Sequence, residues 1–134
     1  MSWIKLLDNS HFLETLFPNA PPALSCIRVH GVQFHQDGPV LLIDFDLNSY
    51  PKSPPAKWLS GEFNTVQVRL MGIDIRELTM TGWSTNNVGR LEFARDEDRT
   101  TVKFDAPGCS LQVDAMFVRV DRVSTYHNDA NADG

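Results

Sequence analysis

The stretch Ile27-Arg28-Val29-His30-Gly31-Val32-Gln33-Phe34, the turn Gln36-Asp37-Gly38-Pro39 and the run Val40-Leu41-Leu42-Ile43-Asp44-Phe45-Asp46-Leu47 decide the fold. Ile27 and Val29 alternate with Arg28 and His30, the period of two expected of a strand with one buried side. Beyond Gly31 the apolar residues Val32 and Phe34 take the opposite parity, and a glycine at a parity change marks a bulge. In the second run Leu41, Ile43, Phe45 and Leu47 point one way, with Asp44 and Asp46 on the other. Two such runs around an aspartate-glycine turn predict an antiparallel hairpin.

Working outward, the period of two recurs downstream. Val66, Val68 and Leu70 share a parity, and Ile73 and Ile75 take the other after Gly72, predicting two strands or one sharply bent strand across 64–82. Leu91 and Phe93 should pair with Val102 and Phe104 around Asp96-Glu97-Asp98-Arg99. Leu111, Val113, Met116, Val118 and Val120 form the last strand, with a shift near Asp114-Ala115.

Upstream, Phe12, Leu13, Leu16 and Phe17 fall on one helical face, with Asn9 or Ser10 as the cap and Pro18 as the stop. Trp3, Ile4, Leu6 and Leu7 begin the same packed face. The prediction is a mainly β (α+β) chain: a curled antiparallel sheet or a small β-sandwich with one short N-terminal helix. At 134 residues the length suits one domain, drawn as 1–126, with a polar tail over 127–134 expected to be disordered.

Composition narrows the function classes. Twelve Lys and Arg against 17 Asp and Glu give a net charge of -5, with no basic cluster of the kind that binds nucleic acid. Residues 1–60 hold four bases and five acids, and residues 61–134 hold eight and 12, so the charge is spread along the chain. No signal-peptide run or membrane-length apolar stretch is present, which points to the cytoplasm. Cys26 and Cys109 are expected as two buried free thiols.

Chemical motifs are sparse. Asp44 and Asp46, about 7 Å apart on one strand face, could hold a cation or work as acid and base, yet they also read as the solvated side of a half-buried strand. Cys26 and His30 would stand about 13 Å apart on a strand, too far for one zinc ion. Neither a nucleophile elbow nor a phosphate-binding glycine loop occurs. No catalytic residue, metal or cofactor is expected.

Aromatic residues in irregular segments are more informative. Tyr50 and Trp58 lie in a proline-rich connection over 48–62, and Trp83 opens the loop Gly82-Trp83-Ser84-Thr85-Asn86-Asn87. They read either as interface anchors or as rings folded back over the sheet.

The order of landmarks resembles the bacterial immunity protein 50 family, associated with polymorphic toxin systems. The landmarks are a Trp3-containing N-terminus, the helix ending Leu16-Phe17, Pro21-Pro22-Ala23-Leu24, the Gly38-Pro39 turn, Pro54-Pro55-Ala56-Lys57-Trp58, the 64–70 strand and Gly82-Trp83. The resemblance covers roughly residues 3–126. It implies a small cytoplasmic, non-enzymatic protein that occludes a cognate toxin domain. For such a contact the residues themselves offer Asp44 and Asp46 as charges and Tyr50, Trp58 and Trp83 as anchors. An acidic surface would suit a basic partner. The alternative is a small-molecule site or small enzyme on a concave sheet face using Asp44, Asp46, Glu62 and Asp74. A homodimer joined through an unpaired sheet edge is the third reading.

Overall fold

The computed structural model describes residues 2–128. A 3-10 turn at Trp3–Leu6 leads into helix α1 at His11–Leu16, and the hairpin β1 (Ile27–His35) and β2 (Val40–Asp46) follows. A second 3-10 turn spans Ala56–Trp58. Four further strands complete the chain: β3 (Thr65–Thr81), β4 (Val88–Arg95), β5 (Thr100–Ala106) and β6 (Cys109–Tyr126). The mainly β architecture with one short helix is as predicted, and the sheet curls all the way to closure. Its order is β1-β2-β3-β6-β5-β4, each strand antiparallel to its neighbours.

The hairpin forms in the predicted register, and the break lies between Val29 and Gly31, so His30 is the extra residue. Phe93 faces Val102 and Leu91 faces Phe104, also as predicted. β3 is one long strand that bends with β6: its 67–73 part pairs with β2, while its far end pairs with β6 alone. The bend falls at Asp74, whose φ of 57° is left-handed. This overturns the expected shared parity of Ile73 and Ile75, because one left-handed residue between them breaks the alternation. Ile75 packs against the core and Ile73 does not.

Closure rests on a short seam. Ile27 pairs with Gly89 and Arg28 with Val88. The seam continues on both sides through Val29 N–H to the Asn87 carbonyl and Leu91 N–H to the Leu24 carbonyl, both 2.9 Å. Inside, Phe45, Phe104, Leu70, Leu91, Leu111 and Val68 fill the barrel with apolar side chains, each contributing about 1.5–3 kcal/mol by burial. The N-terminal segment adds Trp3, Ile4, Leu7, Leu13 and Leu16 to the same core. The Trp3 ring stacks 5.6 Å from Phe93, and its indole N–H donates to the Pro22 carbonyl at 2.9 Å.

Two local expectations need correction. Ser10 sits at the helix N-cap but makes no side-chain cap bond, and Asn9, at φ 58°, donates instead to the Val120 carbonyl. Cys109 is buried but Cys26 is exposed, because its φ of 55° just before β1 takes it out of the strand alternation. Of the stretch 127–134 expected as a tail, residues 127 and 128 are the ones described. His127 Nδ1 lies 2.9 Å from the Glu62 carbonyl, and Asn128 N–H donates to Asn64 Oδ1 at 2.8 Å. Residues 129–134 lie outside the described residues.

Candidate protein-binding face

On β2 the buried Leu41, Ile43 and Phe45 face the core, so Asp44 and Asp46 emerge on the outer wall of β1, β2 and β3. The register then selects their partners. Arg69 stands opposite Asp44 and clasps it with both arms of the guanidinium, Nε to Oδ1 at 2.7 Å and Nη2 to Oδ2 at 3.0 Å. The hydrogen bond and charge of Asp44 raise the Arg69 pKa.

Asp46 is more enclosed, with only 6% of its side chain exposed. The bulge at His30 brings that ring's Nε2 to 2.6 Å from Asp46 Oδ2. The Tyr126 hydroxyl donates to the same oxygen, and Gln67 Nε2 donates to Oδ1 at 3.3 Å. Neither carboxylate is therefore the open solvated charge that strand alternation alone suggests.

Burial, then the hydrogen bond and charge of Asp46, push the Tyr126 pKa up to about 12. The neutral phenol is thus favoured in the fold. Its contribution to stability is fully present below the unfolded value of 10 and is lost as pH rises from there through 12. Phenolate absorbance, read in the first milliseconds after an alkaline jump, should show one tyrosine ionising near pH 12. Tyr126→Phe should delete that phase. Asp46→Asn should lower its midpoint only part of the way, since burial is the larger cause. A Tyr126 midpoint near 10 would contradict the network.

The same outer wall changes character along the strands. Val40, Ile73 and Phe117 form one cross-strand row over β2, β3 and β6, and Leu42 and Met71 form the next. All five are half-buried, and none packs against the core. Among the described elements, neither the helix nor the 3-10 turns form a layer over this wall. Sequence reasoning missed this patch. The available signal was the unbroken run Val40-Leu41-Leu42-Ile43, which is apolar on both faces of its strand.

The aromatic residues separate. Trp83 is 48% exposed and lines a groove of about 700 Å³ with Arg28, His30 and Ser84. Its loop is held by Asn87, which accepts from Ser84 N–H at 3.0 Å and donates to the Ser84 carbonyl at 2.7 Å. Tyr50 is half-buried, its hydroxyl 3.3 Å from Thr125 Oγ1, and lines a second groove with Arg28 and Asp46. Trp58 is only 6% exposed, edge-on to Phe12 at 5.9 Å and beside Tyr50. Its ring has joined the core and offers little surface to a partner.

The concave carboxylate site does not form. The interior is apolar, Asp44 and Asp46 lie on the outer wall, Glu62 is exposed in a loop, and Asp74 stands at the corner beside Arg76. These four carboxylates do not converge.

A family model, immunity protein 50, matches residues 9–126. The chain belongs to the immunity protein 50 family. No curated protein and no solved structure matches it. In this immunity protein 50 member the matched span contains α1 and all six strands, hence both the polar and the apolar parts of the outer wall. Among the described residues no helix is long and apolar enough to cross a membrane. Physically, the wall offers an apolar centre beside polar groups already partnered within the fold, the anatomy of a protein contact.

Proposed function

We propose that this immunity protein 50 member is a cytoplasmic, non-catalytic inhibitor that binds a cognate toxin domain of a polymorphic toxin system and occludes it. The family match over residues 9–126 carries the reading. The packed interior supports it, because a barrel filled with side chains leaves the outer surface to do the work. Prepaired ions also support it. Holding Asp44 and Asp46 in place before contact lowers the ordering cost of binding. Trp83, exposed on a hydrogen-bonded loop, is the aromatic anchor of this surface, with Tyr50 a lesser contributor.

The test is capture from a lysate of the producing cells with the tagged protein, followed by assay of the captured polypeptide. The expected result is inhibition that saturates at one equivalent, with no turnover of the toxin's substrate by the inhibitor. Captured material whose activity is unchanged at saturating inhibitor, or no captured polypeptide under conditions where the toxin is expressed, would overturn it.

A further inference from the structure

We infer that the free edge of β3 over Arg76–Thr81 receives one extended segment of the protein partner as an added strand, apolar on its inner side and polar on its outer side. This rests on the protein-binding reading above and adds a location and the conformation in which the partner binds.

The edge is open along its main chain. Pairing between β2 and β3 stops at Val40–Ile73, and among the described residues only β6 pairs with β3 beyond that point. On the other side of Arg76–Thr81 the main-chain N–H and C=O groups have no ladder, and such a row is a template for another strand. Elsewhere the chain covers its edges itself. Asp8 bonds with Val118 and Val120 along β6, and the Leu24 carbonyl accepts from Leu91 on β4, each at 2.9 Å. Natural proteins commonly guard an open edge with lysine or proline, yet Leu78-Thr79-Met80-Thr81 carries neither a charge nor a proline.

This edge forms one lip of a slot in the barrel wall. The seam between β1 and β4 ends at Val29, so the 31–35 part of β1 pairs with β2 alone. At one end of the slot the Ile75 N–H donates at 3.2 Å to the carbonyl of Pro39, in the turn after β1. At the other end Trp83 and Ser84, just past β3, line one groove with Val29 and His30. The two open stretches therefore run in opposite directions along the two lips, with no ladder between them.

Side chains on the lips identify what the slot takes. Leu78 and Met80 stand opposite Val113 and Leu111, so they share the interior face of the sheet. Val113 and Leu111 are buried at 0% and 2% exposed, whereas Leu78 and Met80 are 42% and 36% exposed. Phe34, on the interior side of β1 opposite Leu41, is equally uncovered. These interior-side residues meet water because no strand stands beside them. Thr79 and Thr81 face outward with Gln112 and Ser110. An added strand with apolar and polar residues in alternation continues both faces and supplies the missing main-chain bonds. A second copy is a poor occupant. Its own β3 would bring β6 alongside, into the space that β1 holds on the far lip.

The test uses the full chain, isotope-labelled for NMR, and a synthetic peptide of alternating valine and threonine with a lysine at one end and a glutamate at the other. The peptide should shift the amides of Leu78, Thr79, Met80 and Thr81 and slow their hydrogen exchange. Two further versions carry N-methyl groups, one on the valines and one on the threonines. Successive N–H groups of a strand point to opposite edges, so at least one version should bind at least about tenfold more weakly. Leu78→Lys with Met80→Lys should weaken the parent peptide by a similar factor. Both side chains are exposed, so that variant keeps the fold.

Shifts confined to other strands, or no shift at all, would overturn the site. Binding at this edge that withstands both kinds of N-methylation would overturn the main-chain pairing. Concentration-dependent shifts of the same residues without peptide would overturn the occupant by seating a second copy there. The experiment uses no toxin, so its failure is distinct from failure of the inhibition assay.

Discussion

Phe104→Ala is expected to lower the unfolding free energy by about 3–5 kcal/mol, enough to remove much of the stability of a domain this size. Phe104 is 1% exposed, lies on β5 between Leu91 and Leu111, and belongs to the central fill of the barrel. Truncation loses the transfer energy of the ring and leaves a cavity that a closed sheet cannot collapse to fill. Phe34 provides the control. It also sits at a core-side position of a strand, opposite the buried Leu41, yet it is 51% exposed near the β1–β2 turn. Phe34→Ala should change stability by no more than about 0.5 kcal/mol. Urea unfolding followed by tryptophan fluorescence measures both, and equal effects would show that the barrel interior is not where the stability resides.

Gly89→Ala should cost about 3 kcal/mol, at the top of the usual range for overpacking. A Cβ at Gly89 would run into the Asp105 carbonyl group and come within 2.8 Å of Ala106 Cα. These are main-chain atoms, so no rotamer change relieves the clash and β4 must move away from β5. Gly89 is also half of the Ile27–Gly89 pair, one of only two residue pairs joining β1 to β4. Moving β4 therefore strains the seam that closes the barrel. Gly31→Ala is the comparison, since its Cβ would meet nothing nearer than Asp44 Oδ2 at 4.0 Å. Denaturation midpoints of the two variants should differ clearly. A Gly89→Ala protein as stable as the parent would mean that β4 and β5 are more loosely joined than the structure has them.

Much of this fold is legible locally. The β1–β2 hairpin, its bulge and the β4–β5 pairing follow from alternation around short turns, because the residues that must meet lie close together in the chain. The candidate site was legible in part. Alternation places Asp44 and Asp46 on the outer wall, but it is silent about Arg69, Gln67 and Tyr126, which arrive from β3 and β6. Trp58 was ambiguous for a similar reason. Whether a ring in a proline-rich loop faces water or core depends on whether a partner such as Phe12 stands where it folds back.

By itself, then, the sequence determined the strands, the side of its own strand on which most residues fall, and the family through its order of aromatic, glycine and proline landmarks. Only the tertiary structure decided that the sheet closes, that Asp74 turns the corner, and that five apolar residues from three strands line up on an uncovered wall. The reason is one of range. Periodicity encodes a residue's orientation relative to its own backbone, whereas its neighbours depend on register between strands far apart in the chain.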